Sequence, residues 1–238
     1  MAIYAIGDLH LSGNGEKPMN VFGAQWDNHF EGIRENWRRK IRPTDIVLIP
    51  GDISWAMQFD EAKRDLLDIA ALPGKKVLLR GNHDYWWSSI TKLRDFLPPG
   101  MMALQNDAVV IDGVALCGTR GWNFPTELNP LDAQDEKIYK RELLRLEMAL
   151  QSAAQSGLPM LAMLHFPPLL KDYRETAFTA LLERYPVQLC VYGHLHGMGI
   201  QNGFNGSHRG IDYRLVSCDA IGFDPVRIWD DGPCALEG

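Results

Sequence analysis

Residues 77–87, VLLRGNHDYWW, begin as an apolar run and end in a cluster of polar and aromatic residues. The earlier stretch 46–55, IVLIPGDISW, has the same form, because four apolar residues lead directly to Pro50, Gly51 and Asp52. Short runs that are apolar throughout are typical of strands buried on both faces of a sheet. Ligand sites in open α/β sheets form at the carboxyl ends of such strands. The two stretches therefore predict buried strands that deliver polar side chains to one edge of a sheet.

Further runs of strand length alternate with amphipathic stretches of helix length. The predicted strands are 3–6, 46–49, 77–79, 109–111, 114–117, 160–164, 187–192 and 214–217. The predicted helices are 26–40, 59–71, 87–96, 135–154 and 175–183. Asp112-Gly113 predicts a tight hairpin turn between two of the strands. This alternation predicts an α/β fold with a β-α-β core and some hairpin-linked strands.

The chain has the size and composition of a globular protein. It has 238 residues, 46% hydrophobic and 23% charged, which excludes a disordered chain, a collagen-like repeat and a coiled-coil rod. No internal repeat or Pro/Ser-rich linker divides it, so we expect one domain over residues 1–238. The segment 119–155 is the most polar and least strand-like, and we expect it to be a helical elaboration on the core.

Charge, hydropathy and cysteine content restrict the partners. The net charge of −6 argues against long nucleic acid, whereas a small anionic substrate remains compatible because a bound cation can reverse the local field. Neither a basic leader nor an apolar run of membrane-spanning length is found, so we expect a soluble, cytoplasmic protein with no membrane partner. Three of the four cysteines lie in apolar runs, which predicts buried free thiols; the four are Cys117, Cys190, Cys218 and Cys234.

Residues that can bind metal ions follow five of the predicted strands. They are Asp8, His10, Asp52, Asn82, His165, His194 and His196. Imidazole nitrogens and carboxylate or amide oxygens suit first-row divalent ions. Seven ligands are too many for one ion that keeps an open position, whereas two ions sharing a bridging carboxylate would use them. Such a pair, about 3.5 to 4 Å apart, can supply a nucleophile and bind the oxygens of a transferring phosphoryl group.

The ordered motifs resemble the calcineurin-like metallophosphoesterase superfamily. They are Asp8-x-His10, Gly51-Asp52, Gly81-Asn82-His83-Asp84, His165 and Gly193-His194-x-His196, and they extend over residues 7–196. The resemblance implies a sandwich of two mixed β-sheets flanked by helices. The stretches GDISWA and GNHDYWW look most like uncharacterised prokaryotic phosphohydrolases. Ile53-Ser54-Trp55 stands where the serine/threonine phosphatases carry a phosphate-binding arginine, so protein phosphatase activity is not expected.

The resemblance also implies a role for each matched residue. Asp8, His10 and His196 would hold the first metal ion, Asn82, His165 and His194 the second, and Asp52 would bridge both. His83 would be the general acid that faces the leaving-group oxygen, supported by Asp84. A neighbouring carboxylate can keep an imidazole charged and oriented. The implied reaction is hydrolysis of a phosphate mono- or diester by metal-bound hydroxide, and manganese, iron and zinc all suit these ligands.

Several residues leave two interpretations open. The aromatic residues could stack a flat leaving group, such as that of a nucleotide-like substrate, or pack a helix onto the sheet; they are Trp55, Tyr85, Trp86, Trp87 and Trp122. Arg120 could bind the phosphate or face solvent, and we expect the latter. We expect His29 and His208 to be solvated.

Two other functions remain as alternatives to a small-molecule phosphohydrolase. One is a non-catalytic scaffold on the same fold, for which a broken ligand set would be the sign. The other is a nuclease acting on nucleic-acid ends, which the net charge disfavours. The substrate and the oligomeric state are left open by the sequence.

Overall fold

The computed structural model describes residues 1–13, 17 and 19–230, which form two β-sheets with helices on their outer faces. The strands are β1 Ala2–Ala5, β2 Ile46–Ile49, β3 Lys75–Leu79, β4 Met101–Leu104, β5 Ala108–Ile111, β6 Val114–Thr119, β7 Met160–Leu164, β8 Val187–Tyr192, β9 Gly206–His208, β10 Ile211–Leu215 and β11 Val226–Asp230. The helices are α1 His29–Lys40, α2 Phe59–Ala70, α3 Ile90–Phe96, α4 Ala133–Ala154 and α5 Ala177–Glu183.

Both sheets are mixed, as the predicted fold class requires. The first has the order β11-β1-β2-β3-β4, in which β1 to β4 are parallel and β11 is an antiparallel edge strand. The second has the order β5-β6-β7-β8-β10-β9, with antiparallel strands at its two edges. The carboxyl ends of the central parallel strands in each sheet are therefore available to build a site at one edge.

Three buried apolar clusters define the layers. Between the sheets, residues of the first sheet such as Ile3 and Leu48 pack against Leu161 and Val191 of the second. The outer face of the first sheet packs against α1, α2 and α3, and the outer face of the second packs against α4 and α5. This arrangement confirms the predicted two-sheet sandwich flanked by helices.

Helix α4 occupies most of the segment that we expected to be an elaboration. Asp132 caps its first turn by accepting hydrogen bonds from the backbone of Gln134 and Asp135. One stripe of the helix is buried against the second sheet, at the helical spacing of Leu146, Ala149, Leu150 and Ala153. The helix is therefore an outer layer of the sandwich.

All eight predicted strands and all five predicted helices are present, with ends shifted by a few residues. The turn at Asp112-Gly113 joins β5 to β6, and both residues have positive φ, at 47° and 87°. Strands β4, β9 and β11 were not predicted, because β4 lacks β-branched residues, β9 has three residues, and β11 alternates with charged residues at a sheet edge.

The other expectations that bear on the fold concern cysteines and membranes. Cys117, Cys190 and Cys218 are buried and free, as predicted, and Cys234 lies outside the described residues. Within the described part of the chain, every helix is too short or too polar to cross a bilayer.

Candidate metal centre

The seven predicted ligands lie together at the carboxyl ends of β1, β2, β3, β7 and β8. Backbone hydrogen bonds tie the loops to one another: the N–H of Asp8 donates to Gly51 O at 2.9 Å, and that of His10 donates to Asp52 O at 2.9 Å. The N–H of Gly193 donates to His165 O at 3.1 Å and joins the loops after β7 and β8. The positions of these side chains are thus set by the sheets through short, hydrogen-bonded loops.

Four of these residues have a left-handed backbone. The φ angles are 57° at Asp8, 46° at His10, 50° at Asp52 and 73° at His194. Non-glycine residues adopt this region at a cost of roughly 1–3 kcal/mol each and cluster at functional sites, where the surrounding structure fixes them. The surrounding structure therefore holds the backbone of these four residues in a strained conformation, and their side chains lie close to one another.

The first group of ligand atoms surrounds His10 and His196. The two Nε2 atoms lie 3.3 Å apart, and His196 Nε2 is 3.4 Å from Asp8 Oδ1. One donor atom from each of Asp8, His10 and His196 lies within 4.8 Å of the others, so this group could hold a metal ion.

The second group surrounds the amide oxygen of Asn82. Its Oδ1 atom is 2.6 Å from His165 Nε2 and 2.9 Å from His194 Nδ1. Asp52 lies between the two groups, because its Oδ2 atom is 3.5 Å from His165 Nε2 and 3.8 Å from His10 Nε2. One carboxylate oxygen therefore faces both groups.

The protonation of His165 tests whether a cation fits here. Its Nδ1 atom lies 3.0 Å from Pro50 O, which can only accept, so Nδ1 carries the proton. Burial lowers the pKa of His165, which keeps the ring neutral and leaves a lone pair on Nε2. That lone pair faces the Asn82 oxygen, another acceptor, at 2.6 Å. A cation bound by both atoms replaces this repulsion with coordination, so the residues fit a metal ion.

The carboxylates give the same indication. Burial, and then the charge of Asp8, raises the pKa of Asp52 to about 8. Burial lowers the pKa of His10 and of His194 to about 3, so neither ring supplies a positive charge near neutral pH. A divalent cation would stabilise the Asp8 and Asp52 carboxylates, beside which the His10 and His194 rings are neutral.

Asp219 is a residue of the site that the sequence did not reveal. Its Oδ1 atom accepts a hydrogen bond from His196 Nδ1 at 2.8 Å, and Oδ2 accepts from the backbone N–H of Gly197 at 3.0 Å. Although burial lowers the pKa of His196, the hydrogen bonds to Asp219 and Asp8 raise it to about 10. Such a carboxylate orients a ligand histidine and fixes its tautomer.

His83 lies at the edge of this centre, outside both ligand groups. Its backbone N–H donates to Asp52 Oδ1 at 2.8 Å, and its ring lies 4.5 Å from that of Trp55, centroid to centroid. Burial lowers the pKa of His83. Its Nδ1 atom is buried without a hydrogen-bond partner among the residues that the structure describes.

The expected contact between Asp84 and the His83 ring is not what the structure shows. The Asp84 carboxylate accepts from the backbone of Gly81 at 2.7 Å and of Ile53 at 2.8 Å, and from Trp86 Nε1 at 3.0 Å. Any support for His83 is therefore indirect, because Asp84 joins the loops after β2 and β3.

Some of the aromatic residues pack in the core, and others lie near the metal centre, where a ring could stack on a flat leaving group. Trp86 and Trp87 are each 1% exposed and pack in the core, whereas Tyr85 is 50% exposed, with its ring 6.2 Å from that of His83. Trp55 stacks on His10 at 4.9 Å. Trp122 packs against Phe166 at 4.9 Å.

Two further aromatic rings near the ligands were missed by the sequence analysis. Trp26 lies 5.7 Å from the His196 ring, and Phe166 lies 4.1 Å from that of His194. Trp26 falls in a 3-10 helix, Ala24–Trp26, rather than in the helix predicted over 26–40. Phe166 directly follows His165, and this position next to a predicted ligand could have indicated that its ring lies near the site.

Three solvation predictions are corrected by the structure. His29 is half-buried, with Nε2 2.8 Å from Leu9 O and Nδ1 3.2 Å from Trp26 O, because the segment before α1 folds back on the β1 loop. The Arg120 side chain is 18% exposed and lies over the Trp122 ring, so it does not face bulk solvent. His208 is in β9 beside Glu175, with 15% of its side chain exposed, because strand pairing with β10 partly covers it.

Comparisons with known proteins identify what this chain is similar to. A family model described as calcineurin-like phosphoesterase matches residues 1–198. A search of curated protein sequences found no match. The fold is similar to that of phosphopantetheinyl hydrolase from Mycobacterium tuberculosis, with 17% identity, a TM-score of 0.53, and coverage of 91% of this chain and 88% of that one. A protein of unknown function from Aquifex aeolicus, AQ665, is 17% identical over 95% of each chain, with a TM-score of 0.49.

Proposed function

Because the chain belongs to the calcineurin-like phosphoesterase family and is a metal-dependent phosphoesterase, we propose that it hydrolyses a phosphate mono- or diester at a two-metal centre. The observation that carries the two-metal proposal is the position of Asp52. Its Oδ2 atom faces His165 at 3.5 Å in one ligand group and His10 at 3.8 Å in the other, as a bridging carboxylate would.

For the two ions we propose the division of ligands that the motifs imply. Asp8, His10 and His196 would hold one ion, Asn82, His165 and His194 the other, and Asp52 both. Bound there, divalent ions would supply positive charge for the phosphoryl oxygens and lower the pKa of a water molecule. The mixed nitrogen and oxygen donors suit manganese, iron or zinc.

His83 is proposed as the general acid. Its backbone is held by the Asp52 carboxylate, which places the ring beside the ligands without making it one. In this role the protonated imidazole donates to the leaving-group oxygen, which lowers the cost of expelling an alkoxide.

The proposed substrate is a small phosphorylated molecule. The exposed Tyr85 ring beside His83 supports a leaving group with a flat portion, such as a nucleoside. The net charge of −6 disfavours a long nucleic acid. The complete ligand set, together with His83, disfavours the scaffold.

The test uses metal-free protein reloaded separately with Mn²⁺, Zn²⁺, Fe²⁺ or Mg²⁺, with p-nitrophenyl phosphate and bis-p-nitrophenyl phosphate as substrates. We expect metal-dependent turnover and two ions per chain by elemental analysis. His83→Gln should lower kcat by about 10²- to 10⁴-fold and retain both ions. His208→Gln, which alters a histidine of β9, is the matched control. Loss of an ion in His83→Gln would overturn the acid assignment, and a single ion in the wild type would overturn the two-metal centre.

A further inference from the structure

A polar cavity of about 230 Å³ lies outside the candidate metal centre. It opens near the carboxyl ends of β3, β4 and β6. Four arginines line it, together with Thr119 and Glu142; they are Arg80, Arg120, Arg141 and Arg145. Arg141, Glu142 and Arg145 belong to α4, whereas Arg80 and Arg120 follow strands. None of the four arginines is a ligand in the metal centre described above.

The backbone connects this arginine cavity to the metal centre. Arg80 directly precedes Gly81 and the ligand Asn82. The Arg120 carbonyl oxygen accepts hydrogen bonds from the N–H groups of His165 at 3.0 Å and Phe166 at 2.9 Å. The cavity therefore lies at the same edge of the sandwich as the metal centre.

The charge of the lining is not balanced. Glu142 is fully buried and is the acidic residue of the lining. Its carboxylate accepts from Arg145 Nη1 at 2.7 Å and from Thr119 Oγ1 at 2.7 Å. The nearest nitrogens of Arg120 and Arg141 are both 3.8 Å away, beyond hydrogen-bonding distance. Four positive charges therefore face one negative charge, whose two oxygens already have partners.

Two of the guanidinium groups have unused donors. In the described residues, the buried Nε atoms of Arg80 and Arg120 have no hydrogen-bond partner. The Arg120 guanidinium lies over the Trp122 ring, 4.6 Å from its centroid, which fixes its plane. A buried donor without an acceptor is costly. An anion in the cavity would offset this cost through the positive charge of both guanidinium groups.

We propose that the arginine cavity binds a phosphoryl group. Arginine forks match phosphate oxygens with paired, charge-assisted hydrogen bonds, and a lining with a net charge of three selects a multiply charged anion. The group has two chemical sources: a second phosphate of the substrate, or free inorganic phosphate. Binding of a phosphoryl group in the cavity does not depend on the proposed function. Only the first source, a second phosphate of the substrate, rests on the proposed function.

The first experiment is calorimetric titration of the metal-loaded protein with inorganic phosphate. We expect two binding events, one of which is weakened about 10- to 100-fold in Arg141→Gln and in Arg120→Gln. The Arg141 side chain is 52% exposed, so its substitution leaves the fold intact. The matched control is Arg184→Gln, which removes an exposed arginine that follows α5 and pairs with Glu147 of α4.

Phosphate binding that is identical in wild type, Arg141→Gln and Arg120→Gln would overturn the site. A protein that failed to bind metal or to turn over an ester would still show the arginine-dependent event. Failure of the proposed function and failure of this inference are therefore distinguishable.

The second experiment distinguishes the two sources. It compares the KM values of alkanediol bisphosphates of two to eight carbons with those of alkyl monophosphates of the same chain length. A lower KM for one chain length, lost in Arg141→Gln, identifies the substrate's second phosphate. Equal KM values for each pair, with the calorimetric event retained, identify free phosphate. Both results support the cavity as a phosphoryl site.

Discussion

The Nδ1 atom of His196 lies 2.8 Å from Oδ1 of Asp219, 23 positions further along the chain. This contact fixes the proton on Nδ1 and directs Nε2 toward Asp8, 3.4 Å away. Asp219 is also held by the backbone of Gly197, so the position of the imidazole is determined by two loops.

We therefore expect Asp219→Ala to weaken metal binding at the group formed by Asp8, His10 and His196 by about 10- to 100-fold. The group around Asn82 should keep its affinity, because Asp219 hydrogen-bonds neither His165 nor His194. Competition with a chromophoric chelator measures both affinities. Asp212→Asn, in which the substituted carboxylate pairs with Arg214 on β10, is the control. Equal weakening at both groups would contradict a role specific to His196.

Gly193 permits a close approach that no larger residue allows. A Cβ atom at this position would overlap the Asp8 carboxylate. We expect Gly193→Ala to displace that carboxylate, lower the free energy of unfolding by about 1–3 kcal/mol, and reduce metal loading. Gly199→Ala is the matched control, because the nearest atom to its Cβ is 3.9 Å away. Chemical denaturation and elemental analysis of both variants check this, and equal behaviour would show that the close approach is unimportant.

The grouping of the seven predicted ligands could be expected from the sequence because each of them follows the end of an apolar strand. Asp52, Asn82 and His165 each lie within three residues of a strand end, so the sheets alone bring them together. Asp219 also follows a predicted strand, 214–217, so it has the same position as the predicted ligands. It was not predicted because it belongs to none of the recognised motifs.

The arginine cavity was beyond prediction because it depends on how α4 docks. Arg141 and Arg145 approach Arg80 only through tertiary packing, and a charged helix is otherwise typical of a solvated face. The partners of Asp84 were missed for a related reason. Three of them are the backbone N–H groups of Gly81, Ile53 and Ser54, and a backbone donor carries no sequence signal.

The stability of the protein should depend on pH through Lys76, a buried lysine of β3. Its Nζ atom donates to the carbonyl oxygens of Ala70 and Leu72, and burial lowers its pKa from 10.5 to about 8. Between these two pH values the unfolded chain binds more protons at this site than the folded chain. The free energy of unfolding therefore rises with pH across that window, by up to about 1.4 kcal/mol per pH unit.

The measurement compares wild type with Lys76→Met by urea denaturation at several pH values from 7 to 10.5. The difference between their unfolding free energies should shift in favour of the wild type as the pH rises above 8. Lys75→Met controls for loss of charge, because Lys75 is the neighbouring lysine of β3 and pairs with Asp112 in the turn between β5 and β6. A difference that does not change with pH would show that Lys76 titrates normally in the folded protein.

Glu142 is the counterion that allows four arginines to share one cavity. We expect Glu142→Gln to lower the free energy of unfolding by about 3 kcal/mol, because the substitution leaves Arg145 without its buried partner. Glu147→Gln breaks the exposed pair with Arg184 and should cost at most about 1 kcal/mol. Thermal unfolding with and without inorganic phosphate then distinguishes charge repulsion from lost packing. If repulsion among the arginines causes the loss, phosphate should raise the Tm of Glu142→Gln more than that of the wild type or Glu147→Gln. Equal shifts in all three proteins would mean that repulsion among the arginines does not cause the loss.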